Sequence, residues 1–217
     1  MTEDFSVYKS VIDTLIALGT VGAVWAAIWG DRLRRRLFSP SLGISLVDDV
    51  GELTKDGAGN PLLVFHLRVT NFKPDYPAED VEAHLVEVWR KPLTGAFRRT
   101  VMVTPRRFLW APRELNPPAV PIYDEAVLDF GVFQLAPLAH VSSNCFAPWL
   151  LNFPNNFDGL VSAGETVRYV IQVRAKNVRR PARTTIEVFW DGTWSGDAES
   201  MKQHLTIRQL GQTGGTA

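Results

Sequence analysis

The stretch LLVFHLRVTN, residues 62 to 71, alternates between apolar and polar side chains over most of its length. In this stretch Leu63, Phe65, Leu67 and Val69 alternate with the polar residues His66, Arg68 and Thr70. Successive side chains of a β-strand point to opposite faces, so a period of two predicts a strand with one buried face. Such half-buried strands are typical of antiparallel sheets.

The same period of two recurs along most of the chain after Pro40, and turn pairs such as Asp56–Gly57 separate the segments. Seven or eight strands without a long helix among them predict a mainly β domain over residues 41–210, an antiparallel sandwich or a barrel. We expect one helical turn at residues 199–203 and disorder in the glycine-rich tail, residues 211–217. The predicted strands are 41–48, 62–71, 81–91, 98–104, 127–135, 166–177, 183–191 and 204–210.

The run FHLRVTNFKPDYPAEDVEAHLVEVW, residues 65 to 89, resembles the two-strand unit of immunoglobulin-like sandwiches in bacterial proteins. In this resemblance residues 69–71 end one strand, a turn follows, and residues 77–81 lead into the next. The whole layout is similar to small prokaryotic single-pass membrane proteins with an arginine-rich junction containing Trp-Gly-Asp and a cytoplasmic β domain. It also loosely resembles the membrane-anchored β-barrel effectors of cyclic-oligonucleotide antiphage systems, which implies a nucleotide ligand.

Residues 11–30, VIDTLIALGTVGAVWAAIWG, form an apolar run with Asp13 as its only charge. Twenty helical residues rise about 30 Å, roughly the thickness of the hydrocarbon core of a bilayer. The run therefore predicts a transmembrane helix, preceded by a short tail at 1–10 and followed by a basic juxtamembrane segment at 31–40. The residues expected at the membrane interface are Trp25, Trp29, Arg32, Arg34, Arg35 and Arg36.

The charges that flank this run predict its orientation. Four arginines follow it within residues 32–36, whereas Glu3, Asp4 and Lys9 precede it. An arginine excess marks the cytoplasmic side, so we expect the N-terminus outside and the β domain on the cytoplasmic side of a bacterial inner membrane. A cleavable signal peptide would carry its basic residues before the run, and a buried core helix would leave the arginine cluster unexplained.

Small residues recur every four positions along the predicted helix and fall within an arc of about 140°. Small residues on one face let helix backbones approach closely in lipid, so the stripe predicts self-association into a homo-oligomer. The general abundance of glycine and alanine in membrane helices is the alternative explanation. The predicted contact residues are Gly19, Gly22, Ala23, Ala26 and Ala27, with Gly30 completing the stripe.

Formal net charge is zero, with 23 basic and 23 acidic residues, so no overall attraction to a nucleic acid polymer is expected. The charges are nevertheless segregated along the chain. Residues 90–113 hold seven basic and no acidic residues, and residues 168–183 hold six basic and no acidic residues. If these two basic blocks meet in the fold, they form one positive face for anionic lipid headgroups, a nucleotide or an acidic protein. Solvated arginines at alternate strand positions are the alternative.

No phosphate-binding loop, nucleophile elbow, HExxH or CxxC motif occurs, so we predict no enzymatic activity, no cofactor and no metal site. Cys145 is expected to be buried and inert. His66 and His84 are interpreted as solvent-facing strand residues rather than a cross-strand pair. The acidic segment at residues 191–199 is interpreted as a tight hairpin rather than a calcium loop.

Two proline-rich stretches, residues 104–123 and 136–159, are predicted to be ordered, irregular loops. An arginine pair beside a tryptophan in the first stretch could hold a planar anion by charge and stacking. Covering one open end of a sandwich is the structural alternative. The candidate contacts for an anion or other ligand are Arg106, Arg107, Trp110 and Arg113.

These patterns favour a membrane-tethered, non-enzymatic binding or scaffold module that associates with itself through its helix. Its expected partners are the lipid bilayer, further copies of the chain, and a protein or a small anionic ligand. The alternative is a ligand-gated, membrane-disrupting effector of a bacterial antiphage system, with a nucleotide bound by the β domain. An enzyme with an unrecognised site is the third hypothesis.

Overall fold

The computed structural model describes residues 14–30, 39–102, 104–111, 117, 119–134, 144–154 and 157–213. The chain divides into two compact units, residues 1–39 and residues 40–217. In the first unit residues 14–30 form helix α1. No helix within the described residues is both long enough and apolar enough to cross a membrane. Asp13 and the arginines predicted to lie at the interface fall outside the described residues.

The described part of the second unit contains two antiparallel sheets and a short helix, α2 (Ala198–Met201). The strands of the six-strand sheet are β1 (Leu42–Leu46), β2 (Glu52–Lys55), β3 (Pro61–Asn71), β7 (Leu109–Trp110), β9 (Glu125–Gln134) and β10 (Cys145–Pro148). The strands of the seven-strand sheet are β4 (Ala78–Lys91), β5 (Arg98–Arg99), β6 (Arg106–Arg107), β8 (Val120–Ile122), β11 (Glu165–Arg174), β12 (Ala182–Trp190) and β13 (Leu205–Thr213).

The strands of each sheet are hydrogen-bonded in a definite order. The six-strand sheet has the order β1-β3-β9-β10, with β2 paired to β3 and β7 paired to β9. The seven-strand sheet has the order β13-β12-β11-β4-β5, with β6 and β8 paired to β4. This arrangement confirms a mainly β fold of the sandwich or barrel-like type.

The core lies between the two sheets, along the alternating positions that the sequence predicts. Four apolar side chains of β3 at alternating positions are each at most 1% exposed: Leu63, Phe65, Leu67 and Val69. Phe146 lies among aromatic rings of both sheets, with ring centroids 5.5 Å from Phe130 and 6.0 Å from Tyr169. The buried Tyr169 hydroxyl donates a hydrogen bond of 2.5 Å to the Gly159 carbonyl, so its polar end is satisfied.

One edge of the sandwich is closed by a side chain. Gln209 of β13 donates from Nε2 to the Ile44 carbonyl of β1 at 2.8 Å, and its Oε1 accepts from the Leu46 amide at 3.3 Å. Gln209 also donates to the Thr184 hydroxyl at 2.7 Å. The amide of one glutamine thus takes the place of a neighbouring strand along the free edge of β1, which joins the two sheets.

The short strands β2, β6, β7, β8 and β10 were not predicted, because two to four residues are too few to show a period of two. Four of them lie in the two stretches that were predicted to be irregular loops. Conversely, within the predicted strand at 98–104, the described residues 98–102 and 104 contain only the two strand residues of β5.

Two predictions near the C-terminus are wrong. Residues 211–213 are not disordered, because they continue β13 and pair with residues 183–185 of β12; residues 214–217 lie outside the described residues. The segment after β12 is not a tight hairpin, because residues 191–204 separate the two strands and include α2, whose N-cap is Asp197. This helix matches the predicted helical turn at 199–203 to within two residues.

Candidate functional site

A row of large and charged side chains crosses the outer face of the seven-strand sheet from edge to edge. Strand register places Arg99, Trp89, Arg168, Glu187 and Arg208 opposite one another on β5, β4, β11, β12 and β13. The polar positions of each strand face outward because the alternate positions fill the core. We call this outer surface the arginine face; it also carries Glu87 and Arg183.

Glu187 is held between two arginines on the arginine face. Its side chain is only 8% exposed. Arg168 Nε donates to Glu187 Oε2 at 2.7 Å, and Arg208 Nε donates to Oε1 at 2.9 Å. The Phe97 ring centroid lies 3.7 Å from Arg168 Cζ, which is a cation–π contact. Arg168 is therefore fixed by both charge and stacking.

Glu87 is the second carboxylate of the arginine face. Its Oε1 accepts from Arg183 Nη2 at 2.7 Å and lies 3.7 Å from Arg99 Nη2, while Trp89 Nε1 donates to Oε2 at 3.1 Å. Burial by itself would raise the pKa of Glu87, but the hydrogen bonds from Arg183 and Trp89 outweigh it and lower the pKa. Glu87 consequently remains ionised at neutral pH, and Arg183 is anchored to it.

A depression of about 520 Å³ lies beside these ion pairs. Its floor follows the cross-strand row Val170, Thr185 and Gly211, in which the side chains become smaller toward β13. Arg168 and Arg183 border it. A second depression of about 320 Å³ lies on the other side of Glu87 and is lined by Val86, Glu87, Arg99, Thr100, Val101 and Met102.

The part of the arginine face around Glu87 and Glu187 carries a net positive charge. Four arginines, Arg99, Arg168, Arg183 and Arg208, contact these two glutamates and outnumber them by two. Arg99 belongs to the first basic block, and Arg168 and Arg183 belong to the second. The fold thus brings residues of both blocks onto one face, although each of these three arginines is paired with a glutamate. Such a surface attracts anions and acidic proteins.

The candidate anion contacts predicted from sequence are not brought together. Arg106 and Arg107 form β6 beside β4, and Arg107 Nη2 donates to Glu82 Oε1 at 2.7 Å. Trp110 belongs to β7 in the other sheet and is 1% exposed, so its ring has no open face for a ligand. Arg113 lies outside the described residues. The arginine pair therefore lacks the stacking partner that the prediction gave it.

Cys145, His66 and His84 lie on three different strands, β10, β3 and β4. Cys145 is 2% exposed and burial raises the pKa of its thiol to about 11, which confirms the expectation of a buried, inert cysteine. His66 and His84 lie in different sheets and do not pair; His66 Nδ1 is 3.1 Å from Asp129 Oδ1, and His84 Nε2 is 3.6 Å from Glu82 Oε2. Within the described ranges no three metal-ligating side chains cluster.

Sequence reasoning identified Arg168 and Arg183 as members of a basic block but missed their acidic partners. Glu87 and Glu187 occupy polar positions of alternating strands, and only the strand register shows which arginine lies opposite each. Gly211 was assigned to a disordered tail. The alternation of polar and apolar residues predicts individual strands, but it does not reveal which strands are neighbours in the sheet.

A comparison with protein-family models finds none that matches this chain, and a search of curated proteins finds no match either. The fold and the candidate site therefore define a two-sheet antiparallel β protein with a net-positive, arginine-rich sheet face.

Proposed function

We propose that this chain is a membrane-tethered, non-enzymatic binding or scaffold module that holds an acidic protein partner on its arginine face. The observation that carries the proposal is the placement of four arginines over two glutamates on one sheet face, together with Trp89 and Phe97. Arginine and tryptophan are enriched among residues that dominate protein interfaces. Net positive charge also speeds encounter with an acidic surface.

Ordered ion pairs support this role. Glu187 and Phe97 hold Arg168, and Glu87 holds Arg183, so these long side chains lose less conformational entropy when a partner binds. The second compact unit would thus present a preorganised surface, in a domain that we interpret as immunoglobulin-like.

The membrane tether in this proposal rests on the apolar run at residues 11–30 and on the arginines that follow it. We propose a single span in a bacterial inner membrane, with the N-terminus outside and the β domain in the cytoplasm. Self-association is supported by the small residues of the run. Gly19 and Gly22 face open space in α1, where an added Cβ would meet no atom within 4 Å.

Site-specific photo-crosslinking in living cells tests the proposed partner surface. A photoreactive phenylalanine replaces Leu210 on the arginine face, which is 45% exposed, or Leu53 on the six-strand sheet, which is 43% exposed. We expect one discrete protein adduct from position 210 and none from position 53. The adduct should disappear when Arg99 and Arg183 are both changed to Gln. Equal adducts from both positions, or none from position 210, would contradict the proposal.

A further inference from the structure

The strand residue Gly211 has no structural requirement to be glycine. Its φ does not lie in the left-handed region, and a Cβ added to it would meet no atom within 4 Å. Glycine inside a strand costs backbone entropy and often marks a bulge or a point where a ligand or another backbone approaches closely; β13 bulges at Leu210, the residue before Gly211. Gly211 lies opposite Thr185 and lines the depression of about 520 Å³ between Arg168 and Arg183. The missing side chain keeps this depression open.

The two bordering arginines retain hydrogen-bonding capacity. Among the described residues, Arg168 bonds through Nε to Glu187 and Arg183 bonds through Nη2 to Glu87, so other N–H groups of each guanidinium have no partner there. A guanidinium carries five N–H donors in a planar fork. The Thr185 hydroxyl faces the same depression, while Val170 and Leu210 supply apolar lining. Donors thus border the depression on both sides of an apolar floor.

From this arrangement we propose that the depression is a subsite for a phosphate monoester dianion, which refines the acidic-partner recognition proposed above and rests on it. A dianion matches the excess of two positive charges that Arg99, Arg168, Arg183 and Arg208 leave over Glu87 and Glu187. Three phosphate oxygens can accept from donors on both borders, whereas a carboxylate offers two oxygens. The ester carbon would lie on Val170 and Leu210.

Titration of the full chain in nonionic detergent with phenyl phosphate, followed by calorimetry at constant ionic strength, tests the subsite. Arg183→Gln should weaken binding about tenfold or more, because a charge-assisted hydrogen bond is lost. Gly211→Leu should weaken binding by a similar factor by filling the depression while every charge is retained. Binding should also fall as the pH drops below about 6, where the ester becomes a monoanion.

Two variants serve as matched controls. Gly196→Leu places the same side chain at another glycine with open space, and Arg68→Gln removes an arginine from the six-strand sheet. Both should bind phenyl phosphate within about twofold of the unchanged chain, a difference well under 1 kcal/mol. Binding that is undetectable, or that is unaffected by Gly211→Leu, would overturn the proposal.

A second ligand distinguishes the source of the phosphate. Tighter binding of a peptide with one phosphoserine than of phenyl phosphate assigns the subsite to a phosphorylated partner, and equal binding assigns it to a free ester. The photo-crosslink from position 210 distinguishes failure of the phosphate subsite from failure of the proposed function. A crosslinked partner without phosphate binding refutes the subsite alone, whereas phosphate binding without a crosslinked partner refutes the proposed function alone.

Discussion

At the scale of single residues, the Asn71 side chain makes four hydrogen bonds to the backbone of three segments. It is 3% exposed, and its Oδ1 accepts from the amides of Ser41 and Lys73. Its Nδ2 donates to the carbonyls of Tyr76 and Tyr123 at 2.9 and 3.0 Å. One amide therefore ties the start of β1, the turn after β3 and the start of β9 together. Only asparagine has two donors and an acceptor on so short a side chain.

Asn71→Asp should destabilise the protein by about 2–4 kcal/mol. The substitution keeps the shape of the side chain but removes both donors and turns a carboxylate toward two carbonyls. The measurement is the urea midpoint of unfolding with an unchanged slope. Asn152→Asp, at an exposed position, is the control and should leave the midpoint almost unchanged. Equal midpoints for the two variants would show that the four bonds contribute no net stability.

Two half-buried histidines should give opposite pH dependences of stability. Asp129, 3.1 Å away, raises the pKa of His66 above its ordinary value of 6.5, whereas burial lowers the pKa of His84 below it. The stability from protonated His66 is complete below pH 6.5 and is lost as pH rises through the raised pKa. His84 costs stability as pH falls below 6.5, because the unfolded chain binds a proton that the folded chain binds less well.

Urea midpoints measured between pH 5 and 8.5 test both signs. The stability of the unchanged chain relative to His66→Gln should increase as the pH falls. The stability of the unchanged chain relative to His84→Gln should decrease as the pH falls. Each variant thus controls for the other. Parallel midpoint curves for the two variants and the unchanged chain would contradict the assigned directions of both pKa shifts.

At the scale of elements, the junction of β1 and β13 depends on Gln209. Gln209→Leu should expose the edge of β1, because the Leu46 amide and the Ile44 carbonyl lose their partner. We expect faster hydrogen–deuterium exchange at the Leu46 amide by about tenfold, the factor for loss of one hydrogen bond. Gln172→Leu, on the outer face of β11, should leave this exchange rate unchanged. Unchanged exchange in Gln209→Leu would show that the edge is closed by other contacts.

Helix α1 allows a matched test of the proposed self-association. Gly22→Leu should separate packed helix backbones and weaken association, because close approach is what favours helix pairing in lipid. Ile28→Ala, on the side of the helix opposite the centre of the small-residue stripe, should have a much smaller effect. Energy transfer between labelled full chains in vesicles measures both. Equal effects of the two substitutions would contradict a role of the small residues in helix association.

At the scale of the whole molecule, the proposed topology predicts which compartment holds the β domain. A fluorescent reporter that folds only in the cytoplasm should be active when fused after Ala217, and alkaline phosphatase fused there should be inactive. The reason is the arginine excess after the apolar run, at residues 32–36. Moving these arginines ahead of the run, as a control, should reverse both reporters. Active phosphatase in the unchanged chain would refute the orientation.

Most long strands of the β domain could be predicted from sequence, because a half-buried strand must alternate apolar and polar residues. The alternation of β3 was recognised correctly for this reason, and the burial of Cys145 was recognised because free cysteines are usually buried. Strands of two to four residues could not be recognised, and neither could the continuation of β13 through Gly211. Their conformation depends on pairing with a neighbouring strand, and a glycine in a tail has the same local signal as a glycine in an edge strand.

The candidate site combines features that the sequence predicts with features that only the tertiary structure determines. Two basic blocks in the sequence were enough to raise the hypothesis of a positive face, because charge is a property of single residues. The position of Trp110 could not be predicted, because nothing in the neighbouring residues reveals that β7 places this side chain in the core. The opposition of Arg168 to Glu187, and the open row that ends at Gly211, follow from register between strands. Register is set by the packing of the whole core, so only the tertiary structure could decide it.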